Sequence, residues 1–251
     1  MVNPFGAREI SAGYAMHRPP IHPYIVRLAV EWAGFQVPVE RALDIGCGAG
    51  LSTRALRGMA TERIGLEPAE TMLGQAAIVG PGCSFAVAQA EAIPIRDGSI
   101  DLITAAGSLN YVHLDRFFPE ARRVLAEHGA LLVYDFSAAR SFQDGSELDE
   151  WFSEFERRYP WPPNEARELS PEILRAFDSG FELRGERFEI GLRLTSAFYV
   201  KYMMTETNVA LAVRHGTSPE EVETWLRESL ASVWSGIDRE VIFRGYFAWM
   251  T

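Results

Sequence analysis

The sequence has few cysteines, a single lysine and no long apolar run. Its 251 residues include two cysteines, which are too few for a disulfide framework, so we expect a reduced, cytoplasmic protein. No uninterrupted apolar stretch approaches the roughly 20 residues of a membrane span, and the first residues lack the pattern of a secretory signal. We therefore expect neither membrane insertion nor a secreted fold stabilised by disulfides.

Positive charge is also scarce. The formal net charge is −10, Lys201 is the only lysine, and neither lysines nor arginines form a run. Because a nucleic-acid partner requires a basic face that neutralises phosphates, we expect no DNA or RNA partner. The five histidines are scattered without ligand spacing, so no metal site is predicted. A small molecule is the expected partner, and the oligomeric state stays open.

A glycine-rich turn is the feature around which the sequence is organised. Residues 43–45 end a short apolar run typical of a buried parallel strand, and a helical pattern begins at Leu51. Between them lie three alternating glycines: Gly46, Gly48 and Gly50. Such glycines permit a tight turn and let a ligand approach the backbone closely. At the carboxyl end of a strand this pattern indicates a nucleotide-type site, and a turn without a ligand is the alternative.

The residues around the turn favour a ligand with positive charge. Leu51 stands where the third glycine of the dinucleotide fingerprint would be, and Asp44 directly before the turn would repel a phosphate. A carboxylate there suits an amino group or a sulfonium. The stretch resembles motif I of the class I S-adenosylmethionine-dependent methyltransferases at four positions: Asp44, Gly46, Gly48 and Gly50. The resemblance implies a Rossmann-like fold, S-adenosylmethionine as cofactor and S-adenosylhomocysteine as product, with Cys47 in the same turn also a candidate contact.

A second strand ends in a carboxylate at the spacing that a nucleotide site requires. Residues 63–66 are mostly apolar and lead into Glu67, which is 21 positions after Gly46. An acidic side chain about 20 residues after the glycines can accept hydrogen bonds from both ribose hydroxyls. Pro68 follows it, and Met72 resembles the residue that packs against the adenine in the family. For Met72, simple core packing is the alternative.

The third unit, residues 85–103, resembles the family segment Asp-Ala-Glu-x-Leu-Pro-Phe-x-Asp-Gly-Ser-Phe-Asp. Gln89 replaces the aspartate that usually accepts a hydrogen bond from the adenine amino group, and its carbonyl can accept the same bond. The resemblance implies three cofactor contacts here: Gln89, Ala90 and Glu91.

The residues before the first strand resemble the lead-in Tyr-x-x-x-Arg-Pro-x-x-x-Pro of many small-molecule members of the family. By this resemblance Tyr14 and Arg18 are candidate contacts to the cofactor carboxylate, for which a guanidinium is well shaped. An N-terminal arm that packs on the domain with surface arginines is the alternative.

The loop after the fourth strand is expected to carry chemistry, because ligands lie beyond the carboxyl ends of such strands. Ala105 and Ala106 end this strand and are candidate cofactor contacts, while Asn110 and Tyr111 are candidate substrate contacts. His113 is a candidate general base because its reference pKa lies near neutrality. A histidine that covers the following helix is the alternative. The loop lacks the Asn/Asp-Pro-Pro-aromatic motif, which disfavours methylation of a nucleobase amino group.

The alternation of strands and helices over 40–136 predicts an α/β, doubly wound, mostly parallel sheet. Strand patterns over 181–195 and 239–249 predict an antiparallel C-terminal strand, and helical patterns cover 196–213 and 218–234. We expect one domain over 1–251. Its core covers about 40–136, 170–195 and 239–251, two cap insertions cover 137–169 and 196–238, and an N-terminal arm covers 1–36. Trp151 and Tyr199 of the caps are candidate substrate contacts.

Three functions are compatible with these patterns. The leading one is methyl transfer from S-adenosylmethionine to an oxygen, nitrogen or carbon atom of a small metabolite. A protein that binds S-adenosylmethionine or S-adenosylhomocysteine without catalysis is the alternative. A nicotinamide-dependent oxidoreductase is disfavoured by Asp44 and by the missing third glycine.

Overall fold

Strands and helices alternate up to residue 136, except that the strands Ser84–Val87 and Ile100–Ala106 follow each other without a helix between them. The computed structural model describes residues 16–145, 147–163, 166–234, 236 and 238–251. The elements in the first half are α1 His22–Ala33, β1 Val39–Ile45, α2 Leu51–Ala55, β2 Ala60–Glu67, α3 Glu70–Val79, β3 Ser84–Val87, β4 Ile100–Ala106, α4 Leu114–Val124 and β5 Leu125–Phe136. A short 3-10 helix, Leu109–Tyr111, lies between β4 and α4.

In the second half, three helices separate the two long strands, Leu183–Thr195 and Asp238–Met250. Its elements are β6 Ser141–Phe142, α5 Glu147–Arg158, α6 Pro171–Arg175, β7 Leu183–Thr195, α7 Ser196–Met203, α8 Thr207–Arg214, α9 Pro219–Ala231 and β8 Asp238–Met250. The sequence predicts one helix over 196–213, whereas the structure has two. The chain turns between them at Thr205 and Glu206, both buried, where the Thr205 hydroxyl donates to the Tyr202 carbonyl at 2.6 Å.

All described strands belong to one sheet of order β3-β2-β1-β4-β5-β8-β6, and β7 pairs with β8. The first five strands are parallel, and β8 runs antiparallel to β5, β6 and β7. This confirms the predicted doubly wound α/β fold with an antiparallel C-terminal strand. The strand order reverses direction between β1 and β4, and that reversal opens a crevice beyond the carboxyl ends of the strands.

Helices cover both faces of the sheet because side chains alternate along each strand. On β5, Leu132 and Tyr134 join an apolar cluster with residues of α1, α5, α7 and α9. Leu131 and Val133, on the other face, join a second cluster with residues of α4. None of the helices in the described part of the chain is long and apolar enough to cross a bilayer.

Candidate active site

The glycine turn is held tightly against the neighbouring strands. The N–H groups of Gly46 and Cys47 donate to the Leu66 carbonyl at 2.8 and 3.0 Å. All three glycines have positive φ: 67° at Gly46, 52° at Gly48 and 86° at Gly50. A Cβ at Gly46 would lie 2.4 Å from the Ser108 Cβ, and the Ser108 hydroxyl donates to the Ile45 carbonyl at 2.6 Å. Only glycine fits where the β1 turn meets the β4 loop.

Asp44 lies beneath this turn, where its side chain has no exposure to solvent. One carboxylate oxygen accepts from the hydroxyls of Ser52 at 2.6 Å and Thr53 at 2.7 Å, and the other accepts from Thr104 at 2.8 Å. The carboxylate is thus occupied by protein donors, and the contact with a cofactor expected from the sequence stays a prediction. Asp44 fixes the first turn of α2 to β1 and β4. Burial, opposed by the three hydroxyls, raises the pKa of Asp44 to about 6.

A pH-dependent stability difference is expected from Asp44. The ordinary pKa of 3.8 applies in the unfolded chain and the raised pKa of about 6 in the folded one, so the folded state binds the proton more tightly. This contribution is fully present below pH 3.8 and is lost as the pH rises through 6. The Asp44→Asn variant lacks it, so its unfolding free energy relative to the natural chain should rise by about 2 kcal/mol between pH 4 and 7. Urea titrations across that range measure the difference, and a gap independent of pH would contradict the assignment.

Glu67 joins the end of β2 to the glycine turn. Its Oε2 atom accepts from the Gly48 N–H at 3.1 Å, and its Oε1 atom accepts from the Ala69 N–H at 3.0 Å. The side chain is partly exposed. Because an ionised carboxylate offers about four lone-pair sites, each oxygen keeps the capacity to accept one more hydrogen bond. Glu67 thus lies at the edge of the crevice with acceptors suited to a pair of hydroxyls.

The predicted adenine contacts differ in exposure. Met72 is buried and packs against Ala49 of the turn, whereas Gln89 and Pro68 are exposed. Ala90 is buried among the residues of the second apolar cluster. The Glu91 carboxylate accepts from the His113 N–H at 2.8 Å, at the beginning of α4, where negative charge is favourable. Glu91 therefore has a capping contact that the sequence reasoning did not predict.

Two further candidates can offer only their backbone to a ligand. Cys47 is 4% exposed, and burial raises the pKa of its thiol. Ala105 is fully buried in the second cluster, while Ala106 at the strand end is partly exposed. Cofactor contact by Cys47 and Ala105 stays a prediction, and at these positions it would be made by the backbone.

Arg18 forms an ion pair with Glu206 in the turn between α7 and α8. Its Nη1 atom lies 3.1 Å from an oxygen of Glu206, and its guanidinium lies 5.3 Å from the ring centroid of Tyr202. Burial raises the pKa of Glu206. The pair ties the chain before α1 to the turn between α7 and α8, so the alternative of a packed N-terminal arm fits Arg18. Tyr14 lies outside the described residues.

The carboxyl ends of β4 and β5 bring an amide and a carboxylate together. The Asn110 Nδ2 atom donates to Asp135 Oδ2 at 2.9 Å, and the Phe136 N–H donates to Oδ1 at 2.8 Å. Burial raises the pKa of Asp135. The sequence pattern places Asp135 within a strand, and we did not predict it as a site residue. A carboxylate near the end of an apolar strand is nevertheless the same signal that identified Asp44 and Glu67.

The two aromatic side chains predicted to contact substrate lie in the core. The Tyr199 hydroxyl donates to the Ala139 carbonyl at 2.6 Å, and the residue is fully buried. Trp151 is 5% exposed, stacks on Phe155, and donates from Nε1 to the Ser229 hydroxyl at 2.8 Å. Both rings pack in the core between the helical layer and the sheet, and their predicted contact with substrate stays untested.

Tyr111 and His113 lie in the loop beyond β4, where both are exposed. His113 is the residue from which α4 begins. Its proposed role as a general base stays a prediction. Within the described ranges, no group of three or more histidine, cysteine, aspartate or glutamate side chains is arranged to hold a metal ion.

Fold and site together define a Rossmann-like protein with a glycine turn and an acidic residue at the ends of adjacent parallel strands. Residues 43–133 match the family model of the methyltransferase domain. A solved structure from Anaeromyxobacter dehalogenans, described as a type II methyltransferase, superposes with a TM-score of 0.68 at 24% identity, covering 89% of this chain and 94% of the other. The chain therefore has the fold of the class I, S-adenosylmethionine-dependent methyltransferases.

Relatives in sequence carry the same description. The chain is 33% identical over 97 residues to a Dictyostelium discoideum protein described as a methyltransferase, covering 39% of this chain and 36% of the relative. It is 30% identical over 118 residues to an uncharacterized methyltransferase of Mycobacterium bovis, covering 47% of this chain and 46% of the relative. These matches thus span less than half of each relative's length.

Proposed function

We propose that this protein binds S-adenosylmethionine in the crevice beyond β1, β2 and β4 and transfers its methyl group to a small molecule. The observation that carries the proposal is the Gly48–Glu67 hydrogen bond of 3.1 Å, which joins the glycine turn to the acidic end of β2. Through this contact, the glycine backbone that a ligand can approach closely lies next to the Glu67 oxygens, which can accept from two hydroxyls. Both features suit a nucleoside with a bulky substituent at its 5′ position.

The residues present fit this cofactor. Glu67 would accept from the ribose hydroxyls, and the backbone of the turn from Gly46 to Gly50 would face the amino-acid part. Met72 would pack against the adenine ring. Gln89 follows shortly after β3, and its side-chain carbonyl would accept a hydrogen bond from the adenine amino group. At Gly48, the end of the Met72 side chain is the only described atom within 4 Å of where a Cβ would be, at 3.5 Å. The turn can therefore lie under a ligand without a side chain in between.

When bound, the cofactor supplies a methyl group on a positively charged sulfur. The protein's contribution is to hold the acceptor in line with that methyl group, and good positioning alone can supply about 7–11 kcal/mol of rate acceleration. The acceptor would lie over β4 and β5, the two strands on the side of β1 away from Glu67. Asn110 and Tyr111 lie in the loop that follows β4 and are proposed to contact it.

Calorimetric titration with S-adenosylmethionine and S-adenosylhomocysteine tests the cofactor site. We expect micromolar binding of both ligands, followed by transfer of labelled methyl groups to at least one member of a panel of phenols, amines and carboxylic acids. Binding without transfer to any acceptor would instead support the non-catalytic alternative. The absence of binding by folded protein would overturn both proposals.

A further inference from the structure

We infer that Asp135 is the general base of the methyl transfer and that the acceptor atom is a hydroxyl oxygen or an amine nitrogen that gives its proton to this carboxylate. The inference rests on the proposed function, since it assigns chemistry to the acceptor side of the same crevice. It also replaces the exposed His113 with a partly buried carboxylate as the candidate base.

The order of the strands places Asp135 on the acceptor side. From Glu67 on β2 the sheet continues through β1 and β4 to β5, which carries Asp135 next to its last residue. A ligand that has its ribose at β2 and extends across the glycine turn therefore points its reactive end toward β4 and β5. Gly107 directly follows β4, and a Cβ there would lie 3.0 Å from Asp135 Oδ1. Because glycine has no Cβ, no side chain of this residue separates the end of β4 from the carboxylate.

The carboxylate is held in position but not saturated. Asn110 and the Phe136 N–H each donate one hydrogen bond, to different oxygens. Because an ionised carboxylate has about four lone-pair sites, one on each oxygen remains available. Asp44 differs, since it is fully buried and accepts from three hydroxyls. Of these two strand-end carboxylates, Asp135 is the one that a substrate proton can reach.

The surroundings make Asp135 more basic than a free aspartate. Burial is the largest cause of its raised pKa, and the hydrogen bonds from Asn110 and Phe136 oppose it. Among the described residues, two tyrosines sense its charge: Tyr134, the preceding residue on β5, and Tyr246, which lies opposite it on β8. Neither tyrosine brings a positive charge that would lower its basicity.

The proton balance of the step is simple. A lone pair of the acceptor oxygen or nitrogen forms the bond to the methyl carbon, and the carbon–sulfur bond breaks with its electron pair returning to sulfur. The acceptor proton passes to the free lone pair of Asp135. The products are the methylated acceptor, S-adenosylhomocysteine and a protonated Asp135, which then releases its proton to water. An acceptor atom that carries no proton would have no need of this residue.

Binding of sinefungin tests the inference without knowledge of the acceptor. In this ligand a carbon that bears an amine replaces the methylated sulfur, so a positive charge lies where the methyl group would be. We expect the preference for sinefungin over S-adenosylhomocysteine, measured by calorimetry, to fall about tenfold in Asp135→Asn because a nearby opposite charge is removed. Affinity for S-adenosylhomocysteine should not change. Asp101→Asn is the matched control, since that carboxylate accepts from the Arg41 N–H at the amino end of β4.

Each outcome separates this inference from the proposed function. An unchanged preference in Asp135→Asn, with S-adenosylhomocysteine still bound, would overturn the role of Asp135 and leave the cofactor site intact. No binding of either ligand by the natural chain would overturn the proposed function itself and the inference with it. In the natural chain the preference should also grow as the pH rises through the pKa of Asp135. The same profile should be flat in Asp135→Asn, which a purely structural role would not produce.

Discussion

The Glu67→Gln variant is expected to bind S-adenosylhomocysteine about 30- to 100-fold more weakly than the natural chain. Hydrogen bonds to a charged group contribute about 1.5–3 kcal/mol each, and the amide that replaces one carboxylate oxygen cannot accept from a ribose hydroxyl. The NH2 group of the new amide would also face the backbone N–H of either Gly48 or Ala69. Because two donors cannot pair, the hydrogen bond from that N–H is lost. Both effects act against the ligand, and calorimetric titration measures their sum.

Glu62→Gln is the matched control for this variant. Glu62 lies on the same strand, near the opposite end, and its carboxylate pairs with Arg41 at 2.8 Å. Its replacement should leave affinity unchanged, because surface ion pairs contribute little and this one is distant from the crevice. Equal affinities of the Glu67 and Glu62 variants would contradict the assignment of Glu67. Thermal unfolding without ligand reports separately on the contact between Glu67 and the glycine turn.

Local patterns predicted the sheet and the glycine turn well. Strand patterns over 181–195, where apolar and polar residues alternate, and over 239–249 predicted the two long strands found at Leu183–Thr195 and Asp238–Met250. The offset between the glycines and Glu67 placed two strand ends side by side, and β1 and β2 are indeed neighbours. These features follow from periodicity and from the topology of parallel sheets, which a single sequence contains.

The orientation of individual side chains was not contained in those patterns. Asp44 and Glu67 each follow an apolar strand, yet one lies beneath the turn and the other at its edge. The difference comes from the hydroxyls of Ser52, Thr53 and Thr104, which converge on Asp44 only in the folded chain. Spacing along the sequence identifies a strand end but does not say on which side of the turn its carboxylate lies.

Contacts between distant segments were also invisible in the sequence. Arg18 pairs with Glu206 across 188 positions, and no local pattern links the two. Trp151 and Tyr199 are aromatic residues in helices, and such residues serve equally as core or as pocket wall until their neighbours are known. The packing of α5 and α7 against the sheet, which depends on many weak contacts, decides in favour of the core.

The Gly46→Ala variant is expected to lose about 2–5 kcal/mol of unfolding free energy, a large share of the roughly 5–15 kcal/mol of a typical domain. The positive φ of 67° alone costs a residue with a Cβ about 1–2 kcal/mol. The new Cβ would also lie 2.4 Å from the Ser108 Cβ, so the β4 loop must move and the Ser108 hydrogen bond to Ile45 is strained. Such overpacking costs about 1–3 kcal/mol more. Urea denaturation measures the total.

Two companion variants separate backbone strain from the clash. Gly98 has a similar φ of 61°, and no atom of the described residues lies within 4 Å of the position that a Cβ would take there. Gly98→Ala should therefore show only the cost of the positive φ. Combining Gly46→Ala with Ser108→Gly removes the opposing Cβ, and the double variant should be more stable than the sum of the two single effects predicts. The coupling expected for residues in direct contact is about 1–3 kcal/mol.

Two results would contradict this contact: additive effects in the double variant, or a Gly46→Ala variant that is no less stable than Gly98→Ala. Either would mean that the β1 turn and the β4 loop do not meet at this point. In that case the crevice would lack the rigid floor on which the proposed cofactor site depends.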